Sequence, residues 1–374
     1  MAEPLKNSFG ADVPKALAHQ LRQVHPQFDA AAFVKDALQG YDALELLPRG
    51  RHIAQALRKH LPPDYARALP ILLESTQVPV QRTVSNSMAG FYFMPHCQFV
   101  AQFGLAHFEE SMQANYLLTQ KFTAEFSVRP YLIHHQEAAL ARLRTWAQDP
   151  NEHVRRLVSE GSRPRLPWAT RLPAFQADPT PVLALLELLK DDPALYVRRS
   201  VANNLNDIGK DHPQVLNDVA QRWLKNAPAE REWVVRHALR WAVKQGDAGA
   251  LAALAVLGFG KPAEVTIGQV RISPANAQVG DSVAIEFTLG NPASRPQALM
   301  VDFQIHYVKA SGGTAPKVFK LKALNLPPHG SVQLHKNVSL REMTTLKHHA
   351  GKHRVDVIVN GKIIEIGLFL LNFK

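Results

Sequence analysis

The sequence contains little cysteine, no long apolar run and none of the common catalytic loop motifs. Its single cysteine, Cys97, excludes an internal disulfide and a zinc site made of four thiolates, and we do not expect it to act as a nucleophile. The longest apolar run, residues 250–260, is too short to span a bilayer, and the first ten residues lack the apolar core of a signal peptide. We therefore expect a protein of the reducing cytoplasm that does not contact a membrane.

The absence of catalytic motifs also narrows the range of possible enzyme classes. The sequence has no P-loop, no nucleophile elbow and no HExxH helix, which argues against the enzyme classes built on them. Although 17 histidines are present, none has a recognised metal-ligand spacing. We therefore expect neither a metal nor another cofactor.

Acidic residues are outnumbered by basic ones. There are 43 Lys and Arg against 32 Asp and Glu, which gives a net charge of +11 and an isoelectric point near 9.7. This excess favours a polyanionic partner, although charge alone would also fit RNA or a membrane surface. The 374 residues, 46% of them hydrophobic, can form two or three domains with a sizeable core.

A repeat with an offset of 43 residues lies at the centre of the chain. The segments DPNEHVRR at 149–156 and DPALYVRR at 192–199 share their Asp-Pro start and a Val-Arg-Arg end. A third, weaker copy has Val235, Arg236 and His237 in place of Val-Arg-Arg. Periods near 40 residues are typical of stacked helical pairs of the HEAT type, so the sequence predicts an α-helical solenoid here.

Helical spacing in the two main copies predicts polar stripes that each contain a carboxylate. Residues three, four or seven positions apart share one helix face. The first stripe consists of Arg156, Glu160 and Arg163, and the second of Arg199, Asn203, Asn206 and Asp207. The opposite, apolar stripes should pack inward, and they consist of Val154, Leu157 and Val158 in the first copy and Val197, Val201 and Leu205 in the second.

The carboxylates in these stripes have two interpretations. A basic stripe suits a phosphate backbone, and a carboxylate within it repels phosphate unless it faces something positive. Alternatively, Glu160 is only the ion-pair partner of Arg156, and Asp207 pairs with Lys210 or caps the next helix, as exposed pairs commonly do. The pattern alone leaves both open.

From Val265 onward, apolar and polar residues alternate in about seven short segments separated by Gly, Pro and Asn turns. The Asn360–Gly361 pair is a strong hairpin signal. Such a pattern predicts an Ig-like β-sandwich. We therefore predict a mainly α protein with a β domain, in which a HEAT-like helical solenoid over 1–260 is followed by an Ig-like sandwich over 263–374.

Five segments give the helical region a family resemblance. They are EPLKNSFG at 3–10, LELLPRGRHIAQALRKHLP at 44–62, FTAEFSVRPYL at 122–132, VRRLVSEGSRPRLPW at 154–168 and YVRRSVANNLNDIGKDHP at 196–213. Together they resemble the AlkC-type DNA alkylation repair glycosylases, relatives of the AlkD type, over residues 1–260. The appended β domain resembles the longer branch of that family.

The resemblance implies a monofunctional DNA glycosylase acting on duplex DNA that carries cationic alkylated bases, such as 3-methyladenine and 3-methylcytosine. Carboxylates would stabilise an oxocarbenium-like sugar and position a water molecule, without full flipping of the base and without a cofactor. We expect a monomer that associates with the nucleoid when it acts on DNA. The β domain, with 13 Lys and Arg against 7 Asp and Glu, would clasp the DNA, unless those charges only solubilise it.

The same resemblance assigns candidate site residues. The catalytic candidates are Asp207, Glu160 and Glu125. Trp168 would press its ring on the lesion or its sugar, because an electron-rich ring attracts a cation, although a tryptophan that anchors the core is an open alternative. Candidates for DNA contact are Arg156, Arg163, Arg165, Arg199, Asn203, Asn204, Lys210 and Arg129. For the two asparagines a helix cap is the alternative, and Arg129 could instead brace the fold. The rival function is a non-catalytic helical-repeat adaptor that binds nucleic acid or protein.

Overall fold

A computed structural model describes residues 5–80, 89–257, 263–342 and 347–373. The chain divides into two compact units, Met1–Asp211 and His212–Lys374. The predicted boundary at 260–262 lies outside the described residues, but the last helix ends at Val256 and the first strand begins at Thr266. The predicted class, a helical region followed by a β domain, is confirmed. Among the described residues, no helix has the length and apolarity that crossing a bilayer would need.

The first unit is helical throughout its described part. Short 3-10 turns occupy Leu5–Ser8, Tyr41–Ala43 and Ala89–Phe93. Its α-helices are α1 (Asp12–Val24), α2 (Ala30–Leu38), α3 (Leu46–His60), α4 (Tyr65–Ser75), α5 (Met94–Phe103), α6 (Phe108–Thr119), α7 (Arg129–His134), α8 (Gln136–Trp146), α9 (Glu152–Gly161), α10 (Pro173–Ala177), α11 (Thr180–Leu189) and α12 (Leu195–Asp211).

The 43-residue repeat has a repeated hydrogen-bond pattern in α9 and α12. Arg155 donates from Nη1 to the carbonyl oxygens six and five residues before it, at 2.8 and 2.9 Å. Arg198 makes the same two bonds at 2.6 and 2.8 Å. Arg155 also joins the two copies, because its Nε lies 2.6 Å from Asp192 Oδ2. The first arginine of each Val-Arg-Arg motif therefore braces the repeat.

The predicted apolar stripes of α9 and α12 form part of the core. All six side chains are fully buried, as the pattern predicted: Val154, Leu157, Val158, Val197, Val201 and Leu205.

The second unit begins with four helices and continues as two β-sheets. The helices are α13 (Pro213–Leu224), α14 (Ala229–Ala238), α15 (Arg240–Lys244) and α16 (Ala248–Val256). The strands are β1 (Thr266–Ser273), β2 (Asn276–Gln278), β3 (Ser282–Gly290), β4 (Gln297–Val308), β5 (Thr314–Leu326), β6 (Ser331–Ser339), β7 (Gly351–Val359) and β8 (Lys362–Asn372). One sheet has the order β1-β3-β6 and the other β2-β8-β7-β4-β5, with apolar side chains of both sheets forming one core.

The strand prediction is close to the observed sheets. The alternation missed β2, a three-residue strand that pairs in parallel with β8. The predicted hairpin at Asn360–Gly361 is present, and both residues have the positive φ, 48° and 84°, that a type I′ turn requires. The rings of His348 and His353 are both buried beside Tyr307.

We predict that Gly104→Ala destabilises the first unit. A Cβ at residue 104 would collide with Ser111 Oγ and Tyr65 Oη and would lie 2.6 Å from Tyr131 Oη, closer than packed atoms allow. Overpacking of this kind costs about 1–3 kcal/mol of unfolding free energy, which urea denaturation would measure. Gly90→Ala is the matched control, because its Cβ would approach Phe122 no closer than 3.4 Å. Equal stability of the two variants would contradict the packing argument.

A second prediction concerns stability in acid. Burial lowers the pKa of His96 to about 3, and the nearby Lys121 charge acts in the same direction. Because the unfolded histidine titrates near 6.5, the unfolded state gains protons first, so stability present above pH 6.5 is lost as the pH falls. The titration of this one ring should lower the free energy of unfolding by about 2–3 kcal/mol as the pH falls from about 7.5 to 4.5.

The measurement is urea denaturation of wild type and His96→Leu across that pH range. Over this pH range the unfolding free energy of the variant should fall by about 2–3 kcal/mol less than that of the wild type. Parallel pH profiles for the two proteins would show that His96 is not responsible.

Candidate active site

Helices α9 and α12 lie side by side and are joined by polar contacts. The hydroxyls of Ser159 and Ser200 lie 2.7 Å apart. Asn204 donates from Nδ2 to the Ser159 carbonyl oxygen at 2.8 Å and to Ser162 Oγ at 3.1 Å. Asn204 is therefore buried between the two helices and is neither a surface group nor a helix cap in the described structure.

The face of α12 that meets α9 is one residue away from the predicted stripe. It contains Ser200, Asn204 and Asp207, which have the same i, i+4, i+7 spacing as Arg156, Glu160 and Arg163 in α9. Arg199, the first residue of the predicted stripe, is exposed. The predicted stripe and the face that meets α9 share Asp207, because the spacing rule allows either neighbouring residue on a face and burial decides between them.

Glu160 is held from two sides. Its Oε1 accepts from Arg163 Nη1 at 2.7 Å, and its Oε2 accepts from the Ser200 hydroxyl at 2.6 Å. Arg156 Nη2 lies 3.8 Å from the same Oε2. Glu160 is only 5% exposed, so its carboxylate is buried but has hydrogen-bond donors on both oxygens.

Asp207 lies deeper and shares the same arginine. Its Oδ2 accepts from Arg163 Nε at 2.8 Å and lies 2.8 Å from Arg163 Nη2, and its Oδ1 accepts from Lys210 Nζ at 2.8 Å. Asp207 is 1% exposed. Arg163 therefore bridges two buried carboxylates, one from each copy of the repeat.

The contacts extend outward to Glu125. Arg156 Nη2 lies 3.1 Å from Glu125 Oε2, and that oxygen also accepts from the Thr123 hydroxyl at 2.7 Å. The guanidinium of Arg156 lies over the Tyr196 ring, 4.8 Å from its centre. We call Glu125, Arg156, Glu160, Arg163, Asp207 and Lys210 the carboxylate–cation network.

Electrostatics keep the arginines of this network charged. Burial acts to lower the pKa of Arg163, but the adjacent Glu160 and Asp207 outweigh it and raise that pKa. The pKa of Arg156 is raised in the same way, with Glu160 and Glu125 outweighing burial. Because three carboxylates face three cations, the network is neutral as a whole.

The alternative interpretation of these carboxylates is partly correct. The ion pairs Arg156–Glu160 and Lys210–Asp207 are both present. They are not the exposed pairs of a solvated helix face, however, because the two carboxylates are buried. Ionised groups at this depth persist only when they are fully paired.

Arg129 braces the segment that carries Arg163. It is 2% exposed and donates to the carbonyl oxygens of Gly161 and Arg163, both at 2.9 Å, and of Thr170, at 2.6 and 2.9 Å. Burial lowers its pKa to about 10, and the nearby Arg163 charge adds to that effect. Of the two roles predicted for Arg129, its contacts are those of a brace.

Trp168 lies at the surface. The residue is 61% exposed, so its side chain does not anchor the core. Its φ is +65°, in the left-handed region that a bulky side chain rarely adopts. Strain of this kind persists where the surrounding structure fixes it and is concentrated at functional sites.

The remaining DNA-contact candidates have different environments. Arg165 is ion-paired with Asp211, with Nε 2.8 Å from Oδ2. Asn203 is half-buried, and Lys210 belongs to the network. Contact of these residues, and of Arg156, Arg163 and Arg199, with DNA stays a prediction.

Sequence reasoning missed the neutral partners of the network. Ser200 contacts Glu160, Tyr196 contacts Arg156, and Thr123 contacts both Glu125 and Arg156. The spacing of Ser200 to Asp207 was a usable signal, because the two are seven residues apart on one helix. Thr123 and Tyr196 carried no such signal. Cys97, for which no role was predicted, is buried, and burial raises the pKa of its thiol to about 12.

Comparison with known proteins agrees with this arrangement. A family model described as "DNA alkylation repair enzyme" matches residues 119–242. A second, described as "Uncharacterised protein YhaZ, C-terminal Ig-like domain", matches residues 266–372. The first contains the whole carboxylate–cation network, and the second contains the two β-sheets.

Two relatives cover almost the whole chain. "Uncharacterized protein YhaZ" of Bacillus subtilis is 38% identical over 360 residues, which are 96% of this chain and 97% of that protein. The solved structure of the Pseudomonas fluorescens alkylpurine DNA glycosylase AlkC, bound to DNA containing an abasic site analogue, is 39% identical. It matches with a TM-score of 0.89 over 99% of this chain and 100% of the other. With this identity over its full length, the chain belongs to the AlkC family of DNA alkylation repair proteins.

Proposed function

We propose that this protein is an alkylbase DNA glycosylase that hydrolyses the N-glycosidic bond of cationic bases, such as 3-methyladenine and 3-methylcytosine, in duplex DNA. The observation that carries the proposal is the pair of buried carboxylates, Glu160 and Asp207, both paired with Arg163. Membership of the AlkC family supports the reaction class. The DNA with an abasic site analogue in the related structure supports DNA as the partner.

The reaction does not need a strong general acid. A base alkylated on a ring nitrogen already carries a positive charge, so it leaves as a neutral molecule when it takes the electron pair of the glycosidic bond. The positive charge then moves to the deoxyribose, where water adds and releases a proton, and an abasic site remains. A nearby carboxylate stabilises the sugar cation and accepts that proton.

The different exposure of the three carboxylates supports a division of these tasks. The side chains of Glu125 and Glu160 are 13% and 7% exposed, and that of Asp207 is 1% exposed with both oxygens bound to cations. We therefore assign contact with the sugar and the water to Glu160 and Glu125. Asp207 acts by holding Arg163 against Glu160. No lysine is needed as a nucleophile, which makes the enzyme monofunctional.

The neutrality of the network removes an electrostatic objection. Carboxylates on a DNA-binding surface would repel phosphates, but each one here is matched by a cation. A cationic lesion can approach Glu160 without the neighbouring phosphates being driven away. Selectivity then follows from the charge of the lesion and from DNA deformation, with the base still largely within the duplex. The basic β domain would clasp the DNA.

We predict that Glu160→Gln slows base release by about 10²–10³-fold, because it removes charge stabilisation of the sugar cation. Asp207→Asn should slow it by a smaller factor, because it weakens the position of Arg163. The measurement is chromatography of free methylated bases released from alkylated duplex DNA under single-turnover conditions. DNA affinity should hold or rise in both variants.

The matched control is Glu109→Gln. Glu109 is an exposed carboxylate of α6 that pairs with Arg142 outside the network, so this change should leave release unaffected. If both network variants release base at the wild-type rate, the network is not the catalytic site. If the wild type releases no base, the chain acts as a non-catalytic DNA-binding adaptor.

A second prediction tests Trp168. Trp168→Ala should reduce base release about 5–30-fold, since a desolvated cation–π contact contributes about 1–2 kcal/mol. Trp168→Phe should restore part of the rate, because it retains an aromatic face. Thermal unfolding should be unchanged in both variants, since the ring is exposed. Equal rates for the alanine and phenylalanine variants would exclude a contribution from the ring.

A further inference from the structure

The carboxylate oxygens of the carboxylate–cation network differ in how fully they are bonded. In Glu160, Oε1 accepts from Arg163 at 2.7 Å and Oε2 accepts from Ser200 at 2.6 Å. Each oxygen of Asp207 likewise accepts from a cationic side chain. A water molecule would have to compete with a protein donor at each of these four oxygens.

Glu125 is bonded on one oxygen. Its Oε2 accepts from the Thr123 hydroxyl at 2.7 Å and lies 3.1 Å from Arg156 Nη2. Within the described part of the chain, no group donates a hydrogen bond to Glu125 Oε1. That oxygen is also not fully buried, so water can reach it. It can accept from a water molecule without giving up a bond to the protein.

The backbone that carries Glu125 is fixed by contacts outside the network. The fully buried hydroxyl of Ser127 donates to Asn115 Oδ1, and it also lies 3.1 Å from the carbonyl oxygen of Ala124. Because the backbone is held, the freedom that remains to the carboxylate is rotation about the bonds of the Glu125 side chain. A contact to that side chain is needed to fix its direction.

Thr123 supplies this contact. Its Oγ1 accepts from Arg156 Nη1 at 3.0 Å, which leaves its own proton to be donated to Glu125 Oε2. Since Arg156 Nη2 also approaches that oxygen, the three side chains form a closed ring of contacts around Oε2. Arg156 is in turn held against the Tyr196 ring. The ring of contacts therefore fixes which oxygen of Glu125 is left open.

We propose that Thr123 is a positioning residue for the addition of water, because it holds Oε2 of Glu125 and leaves Oε1 to order the attacking molecule. This inference rests on the proposed function and goes beyond it by separating the roles of two carboxylates. Glu125 accepts a proton from the water, whereas Glu160 acts through its charge on the sugar cation.

The bonds and protons of this step balance. The departing base has already taken the electron pair of the glycosidic bond. The water oxygen then bonds to C1′ of the sugar cation, one of its O–H bonds breaks, and the proton passes to Oε1 and later to solvent. Until water adds, the neutral base can recombine with the cation, so a misplaced water slows net release.

The test compares Thr123→Val, which keeps the branched shape but lacks the hydroxyl, with Thr123→Ser, which retains the hydroxyl. Base release from alkylated duplex DNA is measured in single turnover as a function of enzyme concentration. At saturation Thr123→Val should be about 10–100-fold slower, because it loses hydrogen bonds to two charged groups. The half-saturating concentration should not change, and Thr123→Ser should restore most of the rate.

A double-mutant cycle tests whether Thr123 acts through Glu125. In the Glu125→Ala background, Thr123→Val should slow release by no more than about twofold, since the group that it positions is gone. Added methanol gives a second measure, because it competes with water for the sugar cation. Mass spectrometry of the DNA product should show a larger share of methyl glycoside with Thr123→Val than with wild type.

The matched control is Thr76→Val, which removes a threonine hydroxyl that bonds the Leu73 carbonyl oxygen outside the network. It should keep the wild-type rate and product ratio. The proposal is overturned if Thr123→Val behaves like wild type in rate or in product ratio. It is also overturned if Thr123→Ser is as slow as Thr123→Val, or if the effects of the two sites simply add. Wild-type protein that releases no base would instead overturn the proposed function, and this inference with it.

Discussion

The arrangement of the first unit depends on one guanidinium, that of Arg163, placed between two buried carboxylates. Glu160 comes from one copy of the repeat and Asp207 from the next, and a single side chain contacts both. Neither carboxylate could remain ionised at this depth without a cation beside it. Arg129 in turn fixes the backbone on both sides of Arg163, because its guanidinium donates to three carbonyl oxygens. The site therefore depends on the packing of α9 against α12.

The fold class could be predicted from the sequence because its signals are periodic. Alternation every second residue identified most strands, and the apolar stripes of α9 and α12 are buried as expected. Asn360–Gly361 formed its hairpin because few other residue pairs accept two positive φ angles. The short β2 gave no period to detect, since three residues cannot show alternation.

The candidate site was predictable in its residues but not in its contacts. Helical spacing brought Arg156, Glu160 and Arg163 together, yet it could not decide whether Arg199 or Ser200 faces them. That choice depends on how α12 is rotated against α9, which is set by packing in three dimensions. Trp168 shows the same limit, because a tryptophan after a proline fits a core or a surface equally well, and only its exposure separates the two.

Net charge and local charge are different guides to the ligand of this chain. The net charge of +11 favours a polyanionic partner. In the carboxylate–cation network, however, each cation faces a carboxylate, so the charges hold one another and a cationic guest would find negative groups already oriented. The sign of the charge that this site can accept follows from the local balance, and for that reason a single net charge was a weak guide to the chemistry of the site.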